Sequence, residues 1–455
     1  MNISFSINNT ISWLKDYNLY RLFLIIVVVF LSLISYENIT FNLYFNEIYR
    51  EYGKFFMNFD WNVFSHPKTT FPIWGYGIIH FLGLTKLNVL ILQQLLTIYT
   101  LLKLDKVLIK YKLISKIELF RFIILLSSTW FLFHTQMWPK SIASNLFIIG
   151  SIFSIEFIKS KKEIYLLYSS IIFGVMHNFR PDYFYLSLVL YPFCIYYCRH
   201  DLNWKKFFSP LIQYFLLIPW MIFTYHQTGK FIPTSTNAGH VLFIGLGQLP
   251  ENKWGITPFD EDPIKIKILS DKFGPVFKSD DYEEDIFLKK KFIEFIKNDP
   301  LEYLKKCMFS LRLLILDPFY VGNVGSFQQN KISNIKEIRE LESLIYRFKF
   351  KDSFSLIKNT KWILTKKEVF QLIVTVYTKI FGVIIFLAFM IISIVYIAKF
   401  KTRLDPIALF LILILGYQMS ISILAFHMPV YNSASYIFYV LLTYLLFQKY
   451  LSIKQ

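Results

Sequence analysis

Three acidic residues, Glu47, Glu51 and Asp60, share the stretch FNEIYREYGKFFMNFDW with Arg50, Lys54 and seven aromatic rings. That is too polar for hydrocarbon and too aromatic for an ordinary solvated loop, so it reads as a segment held at a membrane surface. Further along come His66 and Lys68, then Lys140 in HTQMWPKSIASN, then His177, Arg180 and Asp182 in MHNFRPDYFYL. His226 and Lys230 follow an apolar run, and His427 stands in FHMPVYNSASY. A carboxylate beside a bound hydroxyl can take its proton, while Arg and Lys at the same depth stabilise a departing phosphate. Arg180 suits the second role because Pro181 interrupts the helix there, leaving charge and free backbone groups together. The plainer readings are an Arg180–Asp182 ion pair, a snorkelling Lys140, packed histidines at 226 and 427, and solvated pairing of Glu51 and Lys54 with their helical neighbours.

The elements that must position these residues follow from composition. Of 455 residues, 55% are hydrophobic and only 18% charged, the profile of a polytopic membrane protein. A formal charge of +18 raises nucleic acid as a partner, but the basic residues lie in short clusters between apolar runs, which excludes that reading. Cys194, Cys198 and Cys307 form no metal-ligand set, and the first two, four apart on one helix, read as packing residues. The first apolar run has no small-residue cleavage site and is expected to remain as a helix. No internal repeat is visible.

A span needs about 20 largely apolar residues. The expected fold class is therefore an all-α polytopic membrane protein with ten crossings at 20–36, 88–104, 118–133, 141–158, 164–179, 182–198, 208–225, 380–398, 405–426 and 433–450. Lysines 103–116, Lys159 to Lys162, Arg199 to Lys206 and Lys399 to Arg403 then fall on one side, with Lys15 and Arg21. The positive-inside rule makes that side cytoplasmic and places both termini there. A core of 1–225 contains a first external loop at 37–87; an extracytoplasmic region covers 226–379, and the last helices cover 380–455. FPIWGYGIIHFLGL, at 71–84, is expected to lie in the interface as a helix, because an eleventh span would reverse the parity. IFLKKKFIEFIKNDPLEYLKKCMFSLRLLIL is expected to rest on lipid headgroups, with Lys and Arg on one face and Phe, Leu and Ile on the other.

The order of these motifs over nearly the whole chain resembles the GT-C superfamily of membrane glycosyltransferases, in particular the bacterial branch related to protein O-mannosyltransferases and the aminoarabinose transferase of lipid A. NEIYREY, with Tyr49, is similar to the family's acidic-plus-tyrosine motif at the start of the first external loop. SHPKTTFPIWGYG resembles its HPP segment, which brings in His66 and Lys68. FGVMHNFRPDYFYL resembles its Arg-Pro after a glycine-containing helix, and IPWMIFTYHQTGKFIPTSTNAGHVLFIG its PW helix and TNxG loop. The resemblance implies helices around a cavity open to the periplasm and the bilayer, in a bacterial inner membrane. It also implies a polyprenyl-phosphate sugar donor, a lipid, glycan or protein acceptor, and an inverting single displacement. Glu47 or Asp60 would be the base, with Glu47 preferred. Arg180, Lys140 and Lys68 would hold the donor phosphate, with Tyr49, His66, Asp182, His226 and His427 as further substrate contacts. No nucleotide motif is expected and none is found. A divalent metal is compatible with the chemistry, but no ligand cluster demands one.

Two positions depart from the family. Asn46 stands where the first acid of the pair belongs, and an amide cannot accept the proton. Ser435 precedes Tyr436 where the family has Arg-Tyr, so Arg180 or Lys140 must supply the missing cation. Other classes remain in view: an O-antigen polymerase or ligase, a lipid-linked sugar flippase, and a scaffold without chemistry. Carboxylates concentrated in the first loop favour the transferase. The absence of an inverted repeat and of matching broken helices weighs against a transporter.

Overall fold

The computed structural model describes residues 11–36, 54, 77, 81–82, 86–135, 139–197, 199–201, 203–275, 281–320, 340, 350–361, 366–399 and 405–454. Among them the chain is all-helical, with no strand. Five helices are long and apolar enough to cross a membrane: Leu87–Lys110, Pro139–Ser160, Trp204–Thr228, Ile373–Tyr396 and Pro406–Ala425. A sixth crossing exists if Ile117–Leu126 and Ser128–Thr135, bent by 50° at Ser127, count as one. Other expected spans are helical as well: Tyr17–Tyr36 has 20 residues and Tyr436–Lys454 has 19. Glu163–His177 has 15 residues, only about 22 Å at 1.5 Å per residue, short of a ~30 Å hydrocarbon core. Phe184–Tyr197, with 14 residues, is shorter still. The Trp204–Thr228 stretch is itself segmented, with prolines 210 and 219 each opening a new helical piece.

Side-chain contacts define one end of the bundle. Lys103 and Lys110 both bind Glu156, at 2.9 and 3.0 Å, across two helices. Lys161 donates to the carbonyl of Tyr197 at 2.8 Å, Lys159 lies 3.7 Å from Asp405, and the Ser115 N–H reaches Gln448 Oε1 at 2.9 Å. Arg121 forks onto Asp105 with two 2.8 Å contacts and donates to the carbonyls of Leu14 and Lys15. The lysine-rich connections, the first described turn and the last helix therefore meet at a common basic end.

The last helix, Tyr436–Lys454, is the axis of the bundle: every residue from Tyr436 to Leu442 is buried. Aromatic edges pack there, with Phe319 4.8 Å from Tyr436 and Phe389 5.0 Å from Tyr439. A second, smaller core of Phe243, Leu246, Ile256, Leu269 and Leu288 joins the helices Ala238–Leu246, Pro263–Phe273 and Tyr282–Asn298.

The helix Pro300–Leu316 reverses the usual pattern. Glu302, Lys306 and Ser310 are buried, whereas Leu301, Leu304 and Met308 are each more than half exposed. Its positive face was expected to meet headgroups; instead Lys306 points inward. Its Nζ donates to the carbonyls of Ile423, Leu424 and Ala425 at 3.1, 3.2 and 2.6 Å. Those carbonyls end the one-turn π-helix Ile421–Ala425, where helix dipoles favour a cation. The outward apolar stripe, spaced i, i+3 and i+7, fits contact with lipid rather than water.

Candidate functional site

The end of the bundle away from the lysine-rich connections carries two of the candidate cations. Pro139 opens the helix Pro139–Ser160 and puts Lys140 in its first turn. Arg180 ends the preceding hairpin in extended geometry (φ −153°, ψ 129°), as a residue before proline must. Its N–H donates to Met176 O at 2.9 Å, and Asn178 ties the same corner to the carbonyls of Gly174 and Leu216. Tyr183, one turn later, stacks on Phe147 at 4.2 Å and 10°, which fixes the Pro181–Tyr183 turn against the Lys140 helix.

The third wall comes from the far end of the sequence. Pro429–Ser433 forms a short helix, and Val430, Tyr431 and Ala434 close a cleft with Lys140, Ala143, Arg180 and Tyr183. Lys140 Nζ sits 4.8 Å above the Tyr431 ring, a cation–π contact that holds the ammonium at the mouth. The cleft volume is about 10 Å³, room for one water-sized group. A phosphate therefore enters only if Tyr431 and Lys140 swing apart.

Polar bonds from all sides hold this wall. Ser144 Oγ donates to Ala434 O at 3.0 Å, and Ser433 Oγ accepts from the Tyr320 N–H at 2.6 Å. Tyr436, expected beside the missing arginine, is wholly buried and donates its hydroxyl to Ser127 Oγ at 3.1 Å. His427 precedes the wall but faces the opposite way, with Nε2 donating to Asp317 O at 3.2 Å. The side-chain amide of Gln248 clasps the His427 backbone, accepting its N–H and donating to its carbonyl, both at 2.8 Å. Burial pushes His427 down to about 4, assisted by the nearby Lys306 charge. Burial likewise lowers Lys306 to about 8, so it is still charged at neutral pH, as its three carbonyl acceptors require.

The remaining candidates disperse. His226 is exposed in the last turn of Ile218–Thr228, a helix ended by Gly229 at φ +69°, and is not part of the cleft. His177 is buried, edge-on to Phe184 at 5.7 Å. Glu47, Tyr49, Asp60, His66 and Lys68 lie outside the described residues, as do the side chain of Asp182, nearly all of 71–84, and Cys198. Cys194 is buried, as a packing residue should be.

Sequence reasoning passed over an uncharged polar layer next to Lys140. Gln93 and Gln94 both donate to His134 O, at 3.2 and 3.0 Å, and Asn145 Nδ2 lies 3.0 Å from Thr97 Oγ1 and 3.1 Å from His134 Nδ1. All five side chains are buried. Their signal was present: Gln93, Gln94 and Thr97 fall within about one helical turn inside an apolar run, but amides and hydroxyls carry no charge to single them out.

Separate from the cleft, His240 Nε2 lies 2.9 Å from the exposed Asp260 carboxylate and His240 Nδ1 accepts from Lys265 at 3.1 Å. The His240 bond holds Asp260 below the usual carboxylate range. This trio ties two helices of the smaller core together. Among the described residues no three His, Cys, Asp or Glu side chains gather as a metal site. No protein-family model, curated protein or solved structure matches the chain.

Proposed function

We propose that the protein is an inverting glycosyltransferase of GT-C type, moving a sugar from a polyprenyl-phosphate donor to an extracytoplasmic lipid, glycan or protein acceptor. What supports this reading is the cleft in which Lys140 and Arg180, forty positions apart in sequence, stand on adjacent walls at the end of the bundle away from the lysine-rich connections. In the proposed step Glu47, or else Asp60, takes the acceptor's hydroxyl proton. The acceptor oxygen attacks the sugar's anomeric carbon, and the bond from that carbon to the phosphate oxygen breaks with inversion. The charge leaves on the lipid phosphate, where Arg180 and Lys140 receive it. The same proposal includes ten crossings of a bacterial inner membrane, both termini cytoplasmic and the cleft facing the periplasm.

The test is transfer from a polyprenyl-phosphate sugar by purified protein. Glu47→Gln or Asp60→Asn, whichever removes the base, is expected to lower kcat by about 10²–10⁴-fold. Wild-type turnover in both variants ends the first-loop base assignment. Arg180→Ala is expected to raise the donor KM by about tenfold or more, the loss of one charge-assisted phosphate contact.

A further inference from the structure

A second cavity lies at the basic end of the bundle. It has a volume of about 260 Å³ and sits where the last turns of the Lys86–Lys110 and Pro139–Ser160 helices approach the long helix Lys366–Lys399 and the axis helix. Lys112, Lys159 and Lys449 line it, against one carboxylate, Asp405, among the described residues. Asp405 pairs with Lys159 at 3.7 Å and is itself half exposed, so one carboxylate stands against three lysines. Lys449 also lies 5.6 Å from the Tyr396 ring. The rest of the wall is apolar, including Leu113 and Leu445.

Lys112 occupies this rim at a conformational cost. It has φ +48°, and the bonds Lys112 N to Ile109 O and Leu113 N to Leu108 O form the helix-ending motif whose left-handed position favours glycine. A lysine kept where glycine fits better points to a use for its charge.

We infer that this cavity binds the headgroup of an anionic phospholipid from the leaflet at the basic end. Among the described lining residues three lysines stand against one aspartate, a charge of +2 that matches a headgroup carrying two phosphates. Its volume falls below the usual ~300–1,000 Å³ of a small-molecule pocket, so it takes a headgroup while the acyl chains run along the apolar helices outside. Basic pockets between membrane helices recognise such lipids by this chemistry. The inference is independent of the glycosyl-transfer reading.

The experiment is native mass spectrometry of the full chain released from micelles doped with diphosphatidylglycerol or phosphatidylcholine. Wild type is expected to retain diphosphatidylglycerol with about a tenfold preference, and the pair Lys159→Gln with Lys449→Gln to abolish it. The exposed pair Lys272→Gln with Lys297→Gln removes equal charge elsewhere and is expected to change nothing. Lys112→Gly separates binding from folding: lipid retention falls while Tm stays at or above the wild-type value. Equal loss in the control pair, no preference in wild type, or displacement of the lipid by millimolar inorganic phosphate each overturns the assignment.

Discussion

His427 shows how far burial alone can set a residue's behaviour. Held at about 4 in the fold against about 6.5 when unfolded, it stays neutral inside while the unfolded chain binds a proton. Stability therefore falls as pH drops from about 6.5 to 4, by roughly 3 kcal/mol over the window. Thermal unfolding in detergent across that range checks this, and His427→Asn is expected to flatten the slope. Gln248 belongs to the same scale. Truncation to Ala leaves a buried N–H and a buried carbonyl of His427 unmet and is expected to lower stability by about 2–3 kcal/mol. Denaturation showing an effect below about 0.5 kcal/mol means that the clasp is dispensable. His427 and Gln248 are 179 positions apart, so only His427 was legible as a candidate and only as a histidine in a loop. Its inward orientation depends on Asp317 and Gln248, which no local pattern connects to it.

Among elements, the helix Ala238–Leu246 depends on glycines for a reason that sequence does not display. A Cβ on Gly245 would stand 2.2 Å from Ala425 O, and one on Gly239 2.1 Å from Asp285 O. These glycines allow backbone contact with the π-helical turn and with the Tyr282–Asn298 helix. Gly245→Ala is expected to cost about 1–3 kcal/mol and to disturb the carbonyls that Lys306 caps. Gly416, with open space around the corresponding point, is the control: Gly416→Ala should be neutral or mildly stabilising in the same melt. The helix Pro300–Leu316 makes the complementary point. Its amphipathic spacing was readable, but which face turns inward was not, because the buried side is the polar one.

The whole molecule is organised by its two ends. At the basic end the Asp105–Arg121 fork, with both side chains 1% exposed, pins the first described turn to the bundle. Arg121→Met removes one partner of a buried pair and is expected to destabilise by about 3–5 kcal/mol, whereas the double change with Asp105→Leu should recover much of that loss. A double-mutant cycle on thermal or denaturant unfolding separates the two. At the other end the cleft assembles from residues near 140, 180 and 430. A cysteine introduced near Asn58 should label from the periplasmic side only, and cytoplasmic labelling would overturn the proposed orientation.

The sequence by itself determined the class: apolar runs, separated by lysine clusters, have no soluble alternative, and they appear as helices whose basic connections share one end. Periodicity and charge act locally along the chain, which is why they could be read there. It also supplied Lys140 and Arg180 as separate candidates. Tertiary structure alone decided that these two line one cleft with Tyr431, that Lys306 turns inward onto three carbonyls, and that the amides beside His134 form a buried layer. Such outcomes depend on packing between segments remote in sequence, where burial outweighs the preference of any single residue.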